Sequence, residues 1–172
     1  MFSSNQSPDG ERKDTVVNAE QTGRFVWNLA TYNLREAVNA TAEHVPSGVG
    51  ELELAGLEKE KARLTDIPMV EERPVKFECE YHSTIRLPGE PPMGTVDIII
   101  GKVVAVHIKN EVLTDGKLDI LITEPIARCG YYQYAVIRDI FEMKIPGGNA
   151  LINAGLEAGS KENRAANANQ LQ

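Results

Sequence analysis

The chain has 172 residues, a net charge of −7 and 42% apolar residues. That is one ordinary domain or slightly more, long enough to bury a core without staples. The acidic balance excludes a nucleic-acid binder, whose phosphate partner needs a basic face, and a protein held on an anionic membrane surface. A single phosphate in a local basic pocket remains compatible with it.

Residues 3–13 are polar, with Ser7, Pro8, Asp9 and Gly10 as a turn signal. Asp14 or Thr15 is expected to cap a short helix that runs to about Thr22 and stops at Gly23. Residues 25–29 read as a strand, mixed in polarity but rich in β-formers. A second helix follows, burying Leu34, Ala37, Val38 and Thr41 on one face, and ends before Pro46. Residues 47–73 are charged and broken by glycine and proline. They read either as a lid or interface arm, or as an ordinary surface excursion.

Residues 75–87 alternate as a strand. Val75, Phe77, Cys79, Tyr81, Ile85 and Leu87 share the apolar parity, and Lys76, Glu78, Glu80 and His82 the wet one. A second long strand covers residues 95–108. Val96, Ile98, Ile100, Val104, Val106 and Ile108 fall on one face, and Ile99, Val103 and Ala105 make the other apolar too. Asp115 and Gly116 mark a tight turn between residues 112–113 and 118–122. Residues 125–141 read as irregular but aromatic, and residues 147–172 as a flexible tail. Long antiparallel strands without alternating helices favour a closed or half-closed barrel over a parallel α/β sheet.

Chemistry is sparsely signalled. No HExxH, GxSxG, P-loop or GxGxxG is present. His44, His82 and His107 show no metal spacing and read as structural or surface histidines, so no metal is expected. Cys79 and Cys129 stand outside any CxxC pattern, which fits free thiols in a reducing compartment, and Cys129 reads as buried and inert. No apolar run reaches transmembrane length, and the first residues lack the regions of a signal peptide, so a soluble cytoplasmic protein is expected. One segment can bind an anion: Ser3, Ser4 and Asn5, then Arg12, Lys13, Asp14 and Thr15 opening a helix whose first turn exposes unpaired amides. By itself this motif reads better as a plain helix cap followed by a solvated basic pair.

The runs Phe2-Ser3-Ser4-Asn5, Arg12-Lys13-Asp14-Thr15, Thr22-Gly23, Ala37-Val38-Asn39, Glu53-Leu54-Ala55-Gly56-Leu57, Phe77-Glu78-Cys79 and Gly101-Lys102-Val103-Val104, in this order and spacing, resemble the flavin-reductase-like family over about residues 2–146. The resemblance implies a mainly β fold, an antiparallel split β-barrel of the FMN-binding type with short helices. It also implies a homodimer, a flavin partner (FMN) and a nicotinamide electron donor, NADH or NADPH. By position, Ser3, Ser4, Asn5, Lys13, Asp14 and Thr15 match the stretch that holds the phosphate and ribityl chain. No catalytic side chain is assigned, since the redox chemistry would be the cofactor's. Family members carry further strands before the segment matching Met1 to Ser3. The expectation is therefore a domain over residues 1–146 that lacks its N-terminal strands. A non-catalytic FMN-binding or interaction protein of this fold, or a cofactor-free β-barrel binding module, is the alternative.

The tail has too few apolar residues to offset the entropy of ordering it. Deleting residues 159–172 is expected to leave the melting temperature unchanged in a thermal scan. A clear drop would show that the tail docks.

Overall fold

Two long strands with almost unbroken β-propensity organise the chain. The computed structural model describes residues 1–7, 10–46, 48–90 and 94–143. The expected tail over 147–172 lies outside the described residues. In chain order the elements are β1 (Phe2–Asn5), α1 (Asp14–Thr22), β2 (Arg24–Asn28), a 3-10 turn at Tyr32–Leu34, α2 (Arg35–Ala40) and α3 (Glu51–Leu54). The chain continues through β3 (Lys59–Glu60), β4 (Met69–Val70), β5 (Val75–Leu87) and β6 (Val96–Ile108). A 3-10 turn at Asn110–Val112, β7 (Leu113–Thr114), β8 (Lys117–Leu118), α4 (Ile120–Thr123), β9 (Ile126–Gly130) and β10 (Gln133–Val136) complete it. β1, β6, β5 and β2 form one antiparallel four-stranded sheet in that order, curled into a half-barrel. No helix among the described residues is long and apolar enough to cross a membrane.

The first helix has the expected extent and ends at Gly23, whose φ of 69° is the left-handed stop that glycine adopts without strain. Its N-cap is Lys13 rather than Asp14 or Thr15. The second helix presents the expected face, but Leu34, Ala37, Val38 and Thr41 are only half-buried. Asp115 and Gly116, with φ of 52° and 75°, make the tight hairpin between β7 and β8. The chain after Lys117–Leu118 turns helical, because Asp119 caps α4 by accepting from the amides of Leu121 and Ile122. Residues 125–141 are more regular than expected: β9 and β10 pair as a hairpin with Tyr131 and Tyr132 exposed at its tip. Cys129 lies on that hairpin and is exposed, not buried; both cysteines are free.

The strand parities are corrected by two bulges. On β5 the register slips between Tyr81 and Ser83, leaving His82 as the extra residue. Beyond it Thr84 and Arg86, not Ile85 and Leu87, continue the face that carries Cys79 and Tyr81. Ile85 and Leu87 are therefore each 46% exposed. A second slip makes Val104 the extra residue on β6. The apolar residues assigned to one face of β6 are thus split, and the positions it buries are Asp97 and Ile99. Ile99 packs with Val16, Ala19, Phe25 and Cys79 under α1. Gly101 lets Phe25 approach: a Cβ there would stand 2.5 Å from the ring.

The other face of β5 is wet at Glu80 and His82, as expected, but not at its start. Lys76 is 3% and Glu78 0% exposed, because residues 57–73 pack across it with Leu57, Ala62, Met69 and Val70 buried. This segment is an ordered layer fastened by polar contacts. The Glu78 carboxylate accepts from the amides of Arg63 (3.0 Å) and Leu64 (2.7 Å) and bonds His107 Nε2 (2.7 Å). Asn28 Oδ1 accepts from Val70 N (3.1 Å), and Lys76 pairs with Glu60. His107 therefore has the structural role expected of it. Burial alone would raise the Glu78 carboxyl. His107 and the two amides outweigh that and hold it below its ordinary value of 4.5.

A folded-state pKa below the unfolded one stabilises the fold above that unfolded value, and the benefit is lost as pH falls through the folded pKa. Glu78→Gln should cost about 1–3 kcal/mol at neutral pH through imperfectly satisfied amides. The gap in urea midpoint between wild type and this variant should narrow below pH 4.5. A gap independent of pH would show that the Glu78 charge does not hold this layer.

Candidate functional site

Arg12 fixes where α1 begins. Its Nη1 and Nη2 donate to the two oxygens of Glu20 on α1 (2.8 and 2.7 Å), and its Nε donates to Asp97 of β6 (2.9 Å). Asp97, 6% exposed, also accepts from Arg86 Nε (2.8 Å). Glu20 takes a further bond from Thr84 (2.6 Å), whose hydroxyl meets that of Tyr81 (3.0 Å). Thr84 and Arg86 reach this network because the His82 bulge turns them to the helix side. Hydrogen bonds from Arg12 and then Thr84 bring the Glu20 carboxyl down to about 2. The Arg86 hydrogen bond, with that of Arg12, outweighs burial and lowers Asp97. Arg12 is thus committed to two carboxylates and is not an anion ligand, in contrast to the sequence reading.

The clasp leaves the start of α1 presented. Lys13 has extended backbone (φ −66°, ψ 144°), is half-buried and makes no side-chain cap bond. Asp14 is exposed, and its Oδ2 accepts from Gly48 N (3.4 Å). Thr15 is exposed on the same turn. Ser3, Ser4 and Asn5 lie in an edge strand, paired with Ile98, Asp97 and Val96. Ser4 Oγ donates to Asn5 O (3.3 Å). Because Asp97 is both the ladder partner of Ser4 and the acceptor for Arg12, the two stretches singled out in the sequence are neighbours across one carboxylate.

Beside them lies a cavity of about 400 Å³, within the size range of small-molecule sites. Phe2, Trp27, Asn28, Thr41, Thr15 and Arg73 contribute to its wall. The aromatic part is held rigidly. Phe2 meets Phe25 edge to face (5.2 Å), and Trp27 stacks on Phe77 (4.8 Å). Of the six residues assigned from the sequence, only Thr15 lines this cavity. Trp27, Asn28, Thr41 and Arg73 were missed, because they come from three separate segments that only the tertiary fold unites. A smaller cavity of about 250 Å³ lies between α2 and the β9–β10 hairpin, near the Tyr32 ring on which Arg35 and Arg138 stack.

The wall chemistry suits a group with a flat aromatic body and a polar, anionic end. Rings and aliphatic groups can cover the body, while hydroxyls, an amide and two cations, Lys13 and Arg73, stand at the wall and the adjoining helix start.

The sequence profile of the flavin reductase like domain matches residues 1–125, ending immediately before β9. An uncharacterized protein of Halalkalibacterium halodurans is 28% identical over 141 residues, 82% of this chain and 68% of that protein. The crystal structure of nitrilotriacetate monooxygenase component B from Bacillus cereus superposes with a TM-score of 0.75 at 31% identity, covering 83% of this chain and 70% of that one. A candidate flavin reductase with a split-barrel domain from Shewanella frigidimarina shares the fold, with a TM-score of 0.67 at 24% identity over 83% of this chain and 69% of that one. The chain belongs to the flavin reductase-like family, and its curled sheet is that family's split-barrel architecture.

Proposed function

We propose that the protein is an FMN-binding flavoprotein and a flavin reductase-like oxidoreductase that draws electrons from NADH or NADPH. The observation that carries this reading is the aromatic-walled cavity beside the presented start of α1, in a chain of this family. When bound, FMN would supply the redox chemistry, taking a hydride equivalent from the nicotinamide and passing electrons to an acceptor. The protein's own part is binding and orientation. Lys13 would offer charge to the phosphate, and Thr15 a hydroxyl beside the amides of the first helical turn. Ser3, Ser4, Asn5 and Asp14 belong to the same proposed phosphate and ribityl stretch. Trp27 and Phe2 would cover the ring system and keep water from it. A homodimer acting in the cytoplasm is part of the proposal.

The purified protein should be yellow, or turn yellow on adding FMN, and should oxidise NADH or NADPH when flavin is supplied. Flavin absorbance without nicotinamide oxidation would reduce the reading to a non-catalytic flavoprotein, and no flavin binding would end it. Lys13→Ala should weaken FMN binding by about 1.5–3 kcal/mol, the scale of a hydrogen bond to a charged group. Lys59→Ala should do little, since Lys59 is an exposed partner of Glu53 at 2.7 Å. Equal affinity of the Lys13 variant and wild type in a fluorescence titration would remove Lys13 from the site.

A further inference from the structure

Arg73 is buried, and the one carboxylate whose charge acts on it, Glu72, does so without an ion pair. Arg73 is 5% exposed, and among the described residues its one side-chain hydrogen bond is from Nη1 to the backbone oxygen of Leu29, at 3.4 Å. Among the described residues it forms no salt bridge. The adjacent Glu72 spends Oε1 on the amide of Glu58 (3.0 Å), while its Oε2 is buried without a partner. Every other strongly buried charge among the described residues is paired: Lys76 with Glu60, Glu78 with His107, and Asp97 with two arginines. A guanidinium has five donors, and leaving them unmatched in a desolvated position is costly. Burial lowers its pKa, the neighbouring Glu72 only partly opposing that. The 400 Å³ cavity is the open space beside this residue, since Arg73 lines it together with Thr15 and Thr41. Glu51 also lines the cavity but is exposed and therefore screened by solvent.

We propose that Arg73 is an anion-recognising residue of this cavity and takes the phosphate monoester of the bound mononucleotide, so that the site selects phosphorylated flavin over riboflavin. This inference rests on the flavin reading above and deepens it. The phosphate carries all the negative charge of oxidised FMN at neutral pH, so a desolvated guanidinium gains most from that group. Arg73 comes from the layer over β5, far in sequence from the helix start. It would close the site from the side opposite to the cap residues and couple the order of that layer to the ligand.

The test is fluorescence titration of wild type, Arg73→Gln and Arg73→Lys with FMN and with riboflavin, alongside melting curves without ligand. Gln keeps a donor for Leu29 and removes the charge; Lys keeps the charge. Wild type should bind FMN more tightly than riboflavin. Arg73→Gln should lose about tenfold or more in FMN affinity and change little toward riboflavin, on the scale of a charged hydrogen bond. Arg73→Lys should retain a preference for FMN, also if the Gln variant proves too unstable to titrate. A Gln variant that keeps the wild-type ratio of FMN to riboflavin affinity, or loses both ligands equally, overturns the phosphate role while the flavin reading stands. So does a Lys variant with no preference for FMN. Wild type that binds neither flavin overturns both.

Discussion

The grip of Arg12 on Glu20 and Asp97 is the constraint on which the rest of the site depends. α1 is only nine residues long, too short to be stable in isolation, so its placement comes from tertiary contacts. Val16 and Ala19 supply the apolar contact with Ile99 and Phe25. Apolar packing alone is weakly directional, however, and would allow the helix to slide along the sheet. A bidentate arginine bonded at its other edge to a nearly buried carboxylate removes that freedom. The register of α1 then decides that Thr15 stands at the cavity, with Lys13 at the helix start beside it, rather than over the core.

The opposite face of the sheet uses the same device with different groups. A layer whose regular structure is two two-residue strands has little cohesion of its own. It is placed by Glu78, which receives two of its backbone amides, and by Asn28, which receives a third. Buried charges of this kind contribute little net stability compared with apolar residues, but removing either partner is expensive. Their effect is positional: the layer has one docking geometry, and that geometry brings Arg73 under Leu29 and against the cavity. Cavity and charge networks are therefore one construction, with Arg12 setting one side of the wall and Glu78 the other.

Much of the backbone was legible in the chain itself. The first helix, its glycine stop, the two long strands, the Asp115-Gly116 turn and the half-closed antiparallel architecture all follow from local rules, which act within a few residues and leave a periodic trace. The family resemblance likewise pointed to the edge strand and the helix start that prove to be neighbours. The failures share one cause. Assigning faces by parity assumes an uninterrupted ladder, and the bulges at His82 and Val104 break that assumption with no glycine or proline on the bulged residues themselves; Gly101, opposite Tyr81 at the first slip, was the one local sign. Ile85 and Leu87 were placed inside and emerged outside, while Thr84 and the still exposed Arg86 turned to the helix side.

Lys76 and Glu78 show the same limit from another direction. Charged residues on alternating positions read as solvent-facing unless their partners are known, and the partners here stand 14 to 29 residues away. Sequence by itself determined which segments would be strand or helix and which family pattern they compose, because propensity and spacing are local quantities. Only the tertiary structure decided which charges are buried, which arginine is spent on structure and which is left facing the cavity, because the energy of a charge is set by the groups that surround it in space.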